Sequence, residues 1–200
     1  MLLNVLVACE FSGIVRTAFR NRGHNAWSCD LEPPEDNSEF HIKDDVLKHL
    51  GHNWDLMIAH PPCTYLASSG LHWNIRVNGR QQKTDEAIKF VKELLEAPIN
   101  KIALENPIGC ISTRLRKPDQ IIQPWQFGED ASKSTCFWLK NLPYLQPTNI
   151  LIRTRYANQT PTGQNKLGPS PTRAKERSRT YPGIAEAIAE QWGRDEKASV

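Results

Sequence analysis

The junction at which Leu56-Met57-Ile58-Ala59 runs into His60-Pro61-Pro62-Cys63 constrains the fold of this 200-residue chain more than any other stretch. Four apolar residues are too few for a helix and read as a buried strand. Two consecutive prolines then forbid helix continuation and hold the backbone extended. Cys63 is therefore expected on a stiff loop at the carboxyl end of that strand, the edge at which open α/β sheets bind ligands.

Other apolar runs repeat the pattern. Leu2-Leu3-Asn4-Val5-Leu6-Val7-Ala8 suits a central parallel strand. It leads through Cys9-Glu10-Phe11-Ser12-Gly13 into Ile14, Val15, Ala18 and Phe19 at helical spacing. Arg16, Arg20 and Arg22 fall on the opposite side of that helix, and Gly23 stops it. A second short strand, Ala26-Trp27-Ser28-Cys29, ends at Asp30-Leu31-Glu32, and a third, from His41 to Leu47, carries Asp44 and Asp45. Beyond a mixed loop holding His72, Trp73, Asn74 and Arg76, a helix is predicted over about 80–97, with Ala87, Ile88, Val91, Leu94 and Leu95 as its apolar face. Lys101-Ile102-Ala103-Leu104 is the next strand, ending at Glu105-Asn106-Pro107.

A glycine turn after strand one and a carboxylate after strand two is the order of a nucleotide-binding βαβ unit, in which the acid accepts hydrogen bonds from ribose hydroxyls. Each residue also has a plainer reading. A single glycine serves tight turns in many folds, Asp30 alone suffices to cap a turn, a lone cysteine after a strand is usually a small buried hydrophobe, and Glu-Asn-Pro is a common helix start.

Composition bounds the function classes. A hydrophobic share of 39% over 200 residues suits one domain, 1–200, with a sizeable core. No run of eighteen apolar residues and no cationic leader is present, so a soluble, cytoplasmic protein without a membrane partner is expected. The five cysteines, at 9, 29, 63, 110 and 136, are odd in number and widely spaced, and the six histidines are scattered. Reduced thiols and no metal are the expectation. Net charge is +3, but residues 151–180 carry seven Lys or Arg against the single acid Glu176. That excess reads either as a solvated loop or as a phosphate-contacting surface.

With these residues in hand, the chain resembles the cytosine-C5 DNA methyltransferases. The resemblance rests on Pro61-Pro62-Cys63, on Glu105-Asn106, and on the Phe-x-Gly turn at 11–13, and it spans nearly the whole sequence. It implies a Rossmann-like α/β fold with a mostly parallel sheet and helices on both faces, and S-adenosyl-L-methionine as cofactor. By resemblance Phe11, Ser12 and Gly13 form the methionine-side turn, Asp30 or Glu32 takes the ribose, Asp45 lies near the adenine, and Pro61 belongs to the cofactor-side loop. Cys63 is then the nucleophile, Glu105 the acid at the cytosine edge, and Asn106 the residue that fixes the loop. Phe127-Gly128 and Ser132-Lys133-Ser134-Thr135 resemble the family's Tyr-Gly and Gln-x-Arg-x-Arg segments, and Gly183-Ile184-Ala185-Glu186-Ala187-Ile188-Ala189 its last cofactor-side helix.

The departures are specific. Val15 stands where the family has a second glycine, and Lys133 and Thr135 stand where it has two arginines; a lysine holds a phosphate as a point charge without the bidentate fork. A short basic insert at about 142–178 occupies the place of the target-recognition domain. The implied partner is double-stranded DNA with the target base flipped out, contacted by Lys133, Thr135, Arg173, Lys175, Arg177 and Arg179; Trp73 is a candidate for base stacking. An amino-group methyltransferase would need an acidic or amide residue before Pro-Pro and an aromatic after it, where this chain has His60 and Cys63. The same residues also admit a catalytically weak or inactive nucleic-acid-binding protein on this fold, and a methylase of free cytidine nucleotides.

Overall fold

The computed structural model describes residues 1–163, 165–168, 170 and 172–194. Seven strands form one sheet: β1 (Asn4–Ala8), β2 (Asn25–Asp30), β3 (His41–Lys43), β4 (Leu56–Ala59), β5 (Lys101–Pro107), β6 (Gln120–Ile122) and β7 (Thr135–Lys140). Their order is β3-β2-β1-β4-β5-β7-β6. The first five pair in parallel, and β7 runs antiparallel to both β5 and β6. The fold is the expected Rossmann-like α/β architecture, with the strand order reversing between β1 and β4. Beyond the carboxyl ends of those two strands lies the crevice in which such sheets bind ligands.

Both faces of the sheet are covered. Along β1, Val5 and Val7 pack into one apolar cluster and Leu6 and Ala8 into the other, and β4 splits the same way, Leu56 and Ile58 against Met57 and Ala59. This period of two is the pleat of a strand. The first cluster is closed by helices α1 (Ile14–Asn21) and α6 (Pro182–Trp192), the second by α3 (Arg80–Leu95). Two short helices, α2 (Ser68–Leu71) and α4 (Ile111–Arg114), and α5 (Arg173–Ser178) complete the set.

Several expectations change in detail. Arg16 is not on a solvent face: it is buried, donates from Nη1 to Ser28 Oγ at 2.8 Å and pairs with Asp36. A long side chain can bury its stem when its charge is met, and here Asp36 meets it. β3 stops at Lys43, because Asp45 instead caps a 3-10 turn over Val46–His49 by accepting from the Leu47 N–H at 3.0 Å. β5 runs on through Glu105, Asn106 and Pro107, so these residues lie within a strand paired to β7 rather than at a helix start. β6, three residues long, is too short to announce itself as an apolar run. In the basic stretch, residues 173–178 are helical, while Gln164, Pro169 and Pro171 lie outside the described residues.

Gly183 sets how closely α6 approaches the sheet edge. A Cβ there would collide with the carbonyl oxygen of Phe127, and its N–H donates to Glu129 at 2.8 Å. Gly183→Ala must push backbone against backbone and is expected to cost about 1–3 kcal/mol, measurable as a lowered midpoint in urea denaturation with an unchanged slope.

Candidate active site

Polar side chains gather where β1, β2, β4 and β5 end. After β1 the backbone turns sharply: Cys9 adopts φ +59° and its N–H donates to Cys29 O at 2.7 Å. Glu10 comes next and is buried; its carboxylate accepts from the N–H groups of Val15 at 2.7 Å and Arg16 at 3.2 Å. It thereby satisfies orphan donors at the start of α1, work that the left-handed Gly13 (φ +72°) cannot do with a side chain. Burial pushes the Glu10 carboxyl up, against the pull of the His60 charge and of these two N–H groups.

A cleft of about 610 Å³ opens beside this turn. Its polar lining includes Asp30 at the end of β2 and Asp44 and Asp45 beyond β3, and its apolar walls include Leu31, Val46, Leu47, Pro62 and Phe90. Burial raises the Asp30 carboxyl, opposed by the Glu32 N–H that donates to it at 2.9 Å. Asp30, Asp45 and the loop at Pro62 thus converge on one cleft, whereas Phe11, Ser12, Gly13, Glu32 and Pro61 do not line it. Glu32 is exposed, Ser12 Oγ lies 3.4 Å from Glu10, and the Phe11 ring lies under the Lys175 ammonium at 4.8 Å.

Across the Pro-Pro loop stands a second group. His60 Nδ1 lies 2.8 Å from Glu105 Oε2, with both side chains nearly enclosed. Asn106 Nδ2 donates to Pro61 O at 2.7 Å, tying β5 to the loop that carries Cys63. The Cys63 carbonyl accepts from Leu66 and Ala67, which closes the turn behind the thiol. Of the five cysteines Cys63 alone is exposed. Burial pushes Cys29 up to about 12 and Cys136 to about 11. The Cys63 thiol is also raised, first by the protein packed around it; Lys133 and Arg177 pull it down and Glu105 pushes it up. For Glu105, burial alone would raise the carboxyl, but the His60 hydrogen bond and the Lys133 charge outweigh it, so the net shift is downward and the group stands ionised near neutral pH.

Lys133 is positioned by residues that no local motif singles out. Gln123 Oε1 accepts from the Lys133 N–H at 2.9 Å, Asn158 bonds both backbone groups of Ser132, and Lys133 Nζ donates to Arg177 O at 2.9 Å. Thr135 is buried and donates to Lys133 O at 3.2 Å, so it faces inward, lining the same small cavity as His60 and Glu105, rather than an outer surface. Two of the basic residues beyond are already engaged: Glu35 accepts from Arg179 at 2.8 Å and 3.0 Å and pairs with Lys175 at 3.4 Å. Arg179 holds the Glu35 carboxyl below its ordinary range. Arg173 lies in α5, half-buried. Trp73 is exposed in a helical turn over His72–Ile75 with the Arg76 guanidinium 5.7 Å from its ring. Among the described residues no cluster of His, Cys, Asp and Glu could hold a metal ion, and no helix is long and apolar enough to cross a membrane.

No protein-family model matches the sequence, and no curated protein matches it. Among solved structures the chain is similar to a DNA modification methyltransferase encoded within an E. coli prophage, at 15% identity and a TM-score of 0.47, covering 74% of this chain and 51% of that one. It is likewise similar to the S. pombe Dnmt2 methyltransferase, at 15% identity and a TM-score of 0.48, covering 72% and 51%. The chain therefore spans about half the length of either structure.

Lys133→Met removes the cation that most lowers the Cys63 thiol, leaving burial and Glu105 to raise it further. Alkylation of Cys63 by iodoacetamide at about pH 8 should slow about three- to tenfold, since each unit of pKa is tenfold in thiolate. An unchanged rate would show that the thiol does not feel this charge.

Proposed function

We propose that this chain methylates cytosine C5 in DNA through a covalent adduct at Cys63, with S-adenosyl-L-methionine as cofactor. The observation that carries the reading is the placement of one exposed thiol on the loop between an adenosine-sized cleft and the buried carboxyl group of Glu105, hydrogen-bonded to His60. Its neighbours divide the work. Asp30 and Asp45 offer carboxylate acceptors suited to a ribose diol and an adenine amino group, while Leu31, Val46, Leu47 and Phe90 offer apolar walls suited to the ring, so the lining fits the cofactor. S-adenosyl-L-methionine held there would supply an electrophilic methyl group.

Cytosine C5 is a poor nucleophile until sulfur adds at C6, and this is the task of the Cys63 thiolate. Lys133 and Arg177 favour that thiolate. Glu105 engages the N3 edge and offsets the charge that develops as C6 is attacked. Asn106, through Pro61, fixes the distance between the two. A base within a duplex must first leave the stack, at roughly a few kcal/mol. Lys133, Arg173 and Arg177, with Lys175 and Arg179 once a phosphate displaces Glu35 from them, are the cations that would hold the strand on which that cost is offset.

The test is transfer of labelled methyl groups to cytosine-rich DNA, together with trapping on DNA containing 5-fluorocytosine. The adduct should form with the wild-type chain and be absent from Cys63→Ala, which should still bind the cofactor. An adduct persisting in Cys63→Ala would remove Cys63 as nucleophile; methylation of free cytidine nucleotides but not DNA would replace the polymer as substrate; binding without transfer would favour a non-catalytic, nucleic-acid-binding role.

Neutralising Arg173, Lys175, Arg177 and Arg179 together should flatten the dependence of DNA affinity on salt, with a slope smaller by about 0.9 for each phosphate left without its cation. An unchanged slope would assign these residues to solvent and to Glu35.

A further inference from the structure

His60 has no part in the chemistry above, yet it is the one titratable group hydrogen-bonded to Glu105 among the described residues. A carboxylate only accepts, so the shared proton sits on Nδ1. The other ring nitrogen, Nε2, is buried without a hydrogen-bond partner among the described residues. Both side chains line a cavity of about 10 Å³, roughly the room one water needs. The charged and titratable groups around the ring come from every neighbouring element. Glu105 comes from β5, Glu10 from the turn after β1, and Cys63 from the same loop. Lys133 acts through Glu105 from the segment before β7, and Tyr181 lines the shared cavity at the start of α6.

An ionised Glu105 can accept a proton but has none to give, whereas addition of sulfur to C6 makes N3 basic. We propose that His60 is the positioning residue that supplies this proton: as Glu105 protonates ring N3, His60 passes its Nδ1 proton to Glu105. The proposal rests on the cytosine-methylation reading. In the step, the sulfur electron pair forms the C6–S bond, the C5–C6 π pair moves between C4 and C5, and the C4–N3 π pair moves to N3. The imidazolium of His60 passes its Nδ1 proton to Glu105 and becomes neutral, and Glu105 hands that one proton on to N3 and is again a carboxylate. After C5 takes the methyl group, N3 returns its proton through Glu105 to His60, the C5 proton leaves to solvent water, and its bonding pair forms C5=C6 as the C6–S pair departs with sulfur.

His60→Asn separates this role from a structural one, because asparagine still offers an N–H close to the Nδ1 position but carries no titratable proton. Its kcat at neutral pH should fall about 100-fold with KM for cofactor nearly unchanged. Relative to wild type its activity should recover toward lower pH, where Glu105, freed of its partner and still buried, takes its own proton from solvent, the loss of Cys63 thiolate being common to both. A His60→Asn variant with wild-type rate and an unshifted pH profile would overturn the proposal. A second measurement needs no turnover: the Nδ1–H proton signal of His60, held by the Glu105 carboxylate in wild type, should move upfield in Glu105→Gln, and an unmoved signal would break the coupling. If wild-type protein forms no 5-fluorocytosine adduct, the methylation reading fails and the proton role falls with it. If it forms one as fast in His60→Asn at every pH, only the proton role fails.

Discussion

Burial of the central strands on both faces decides where chemistry can occur in this molecule. β1 and β4 contribute apolar side chains to clusters above and below the sheet, with Val5, Leu6, Val7 and Ala8 fully enclosed. A polar group within such a strand would need partners that two apolar layers do not provide. The chain therefore changes character abruptly where the two apolar layers stop: Ala8 to Cys9 and Glu10 after β1, Ala59 to His60 after β4, and Leu104 to Glu105 and Asn106 within β5. The parallel pairing of β1, β4 and β5 brings those transitions to one edge, and the reversal of strand order between β1 and β4 opens the crevice there.

At that edge the electrostatics are divided by the Pro-Pro loop. On one side the acids of the cleft are held by backbone N–H groups, Asp30 by Glu32 and Asp45 by Leu47. On the other, a carboxylate and a thiol share one cation: Lys133 draws both Glu105 and Cys63 toward their ionised forms, although each charge opposes the other. Such opposition is tolerated because the His60 hydrogen bond carries part of the cost of burying Glu105.

Much of this arrangement is legible in the chain itself. Apolar runs of four to seven residues mark β1, β2, β4 and β5, since burial on both faces leaves a dense hydrophobic signal. Cys63, Glu105 and Asn106 stand out because each follows such a run or closes one. What local pattern misses depends on partners remote in sequence. Arg16 has the spacing of a solvent residue, and only Asp36, twenty positions on, explains its burial. His60 in isolation is merely the residue before Pro61, for its meaning lies in Glu105, 45 residues away. Thr135 has the composition of a surface position, yet its place in β7 is fixed by pairing with β5. Local pattern reports burial and turn chemistry; it does not report which distant side chains will meet.

The grip of Glu35 on Arg179 spans 144 residues of sequence, from the loop after β2 to the basic segment, and Lys175 joins it. Its consequence is competition. Any anion that takes the Arg179 guanidinium must displace a carboxylate tethered in the same molecule, present at an effective concentration that dilution cannot lower. Weak or isolated anions lose that contest, whereas a ligand presenting several charges in a row can exchange with Glu35 and recover the loss at neighbouring cations. An anion approaching the basic segment would therefore meet Arg179 and Lys175 with part of their charge already answered by Glu35.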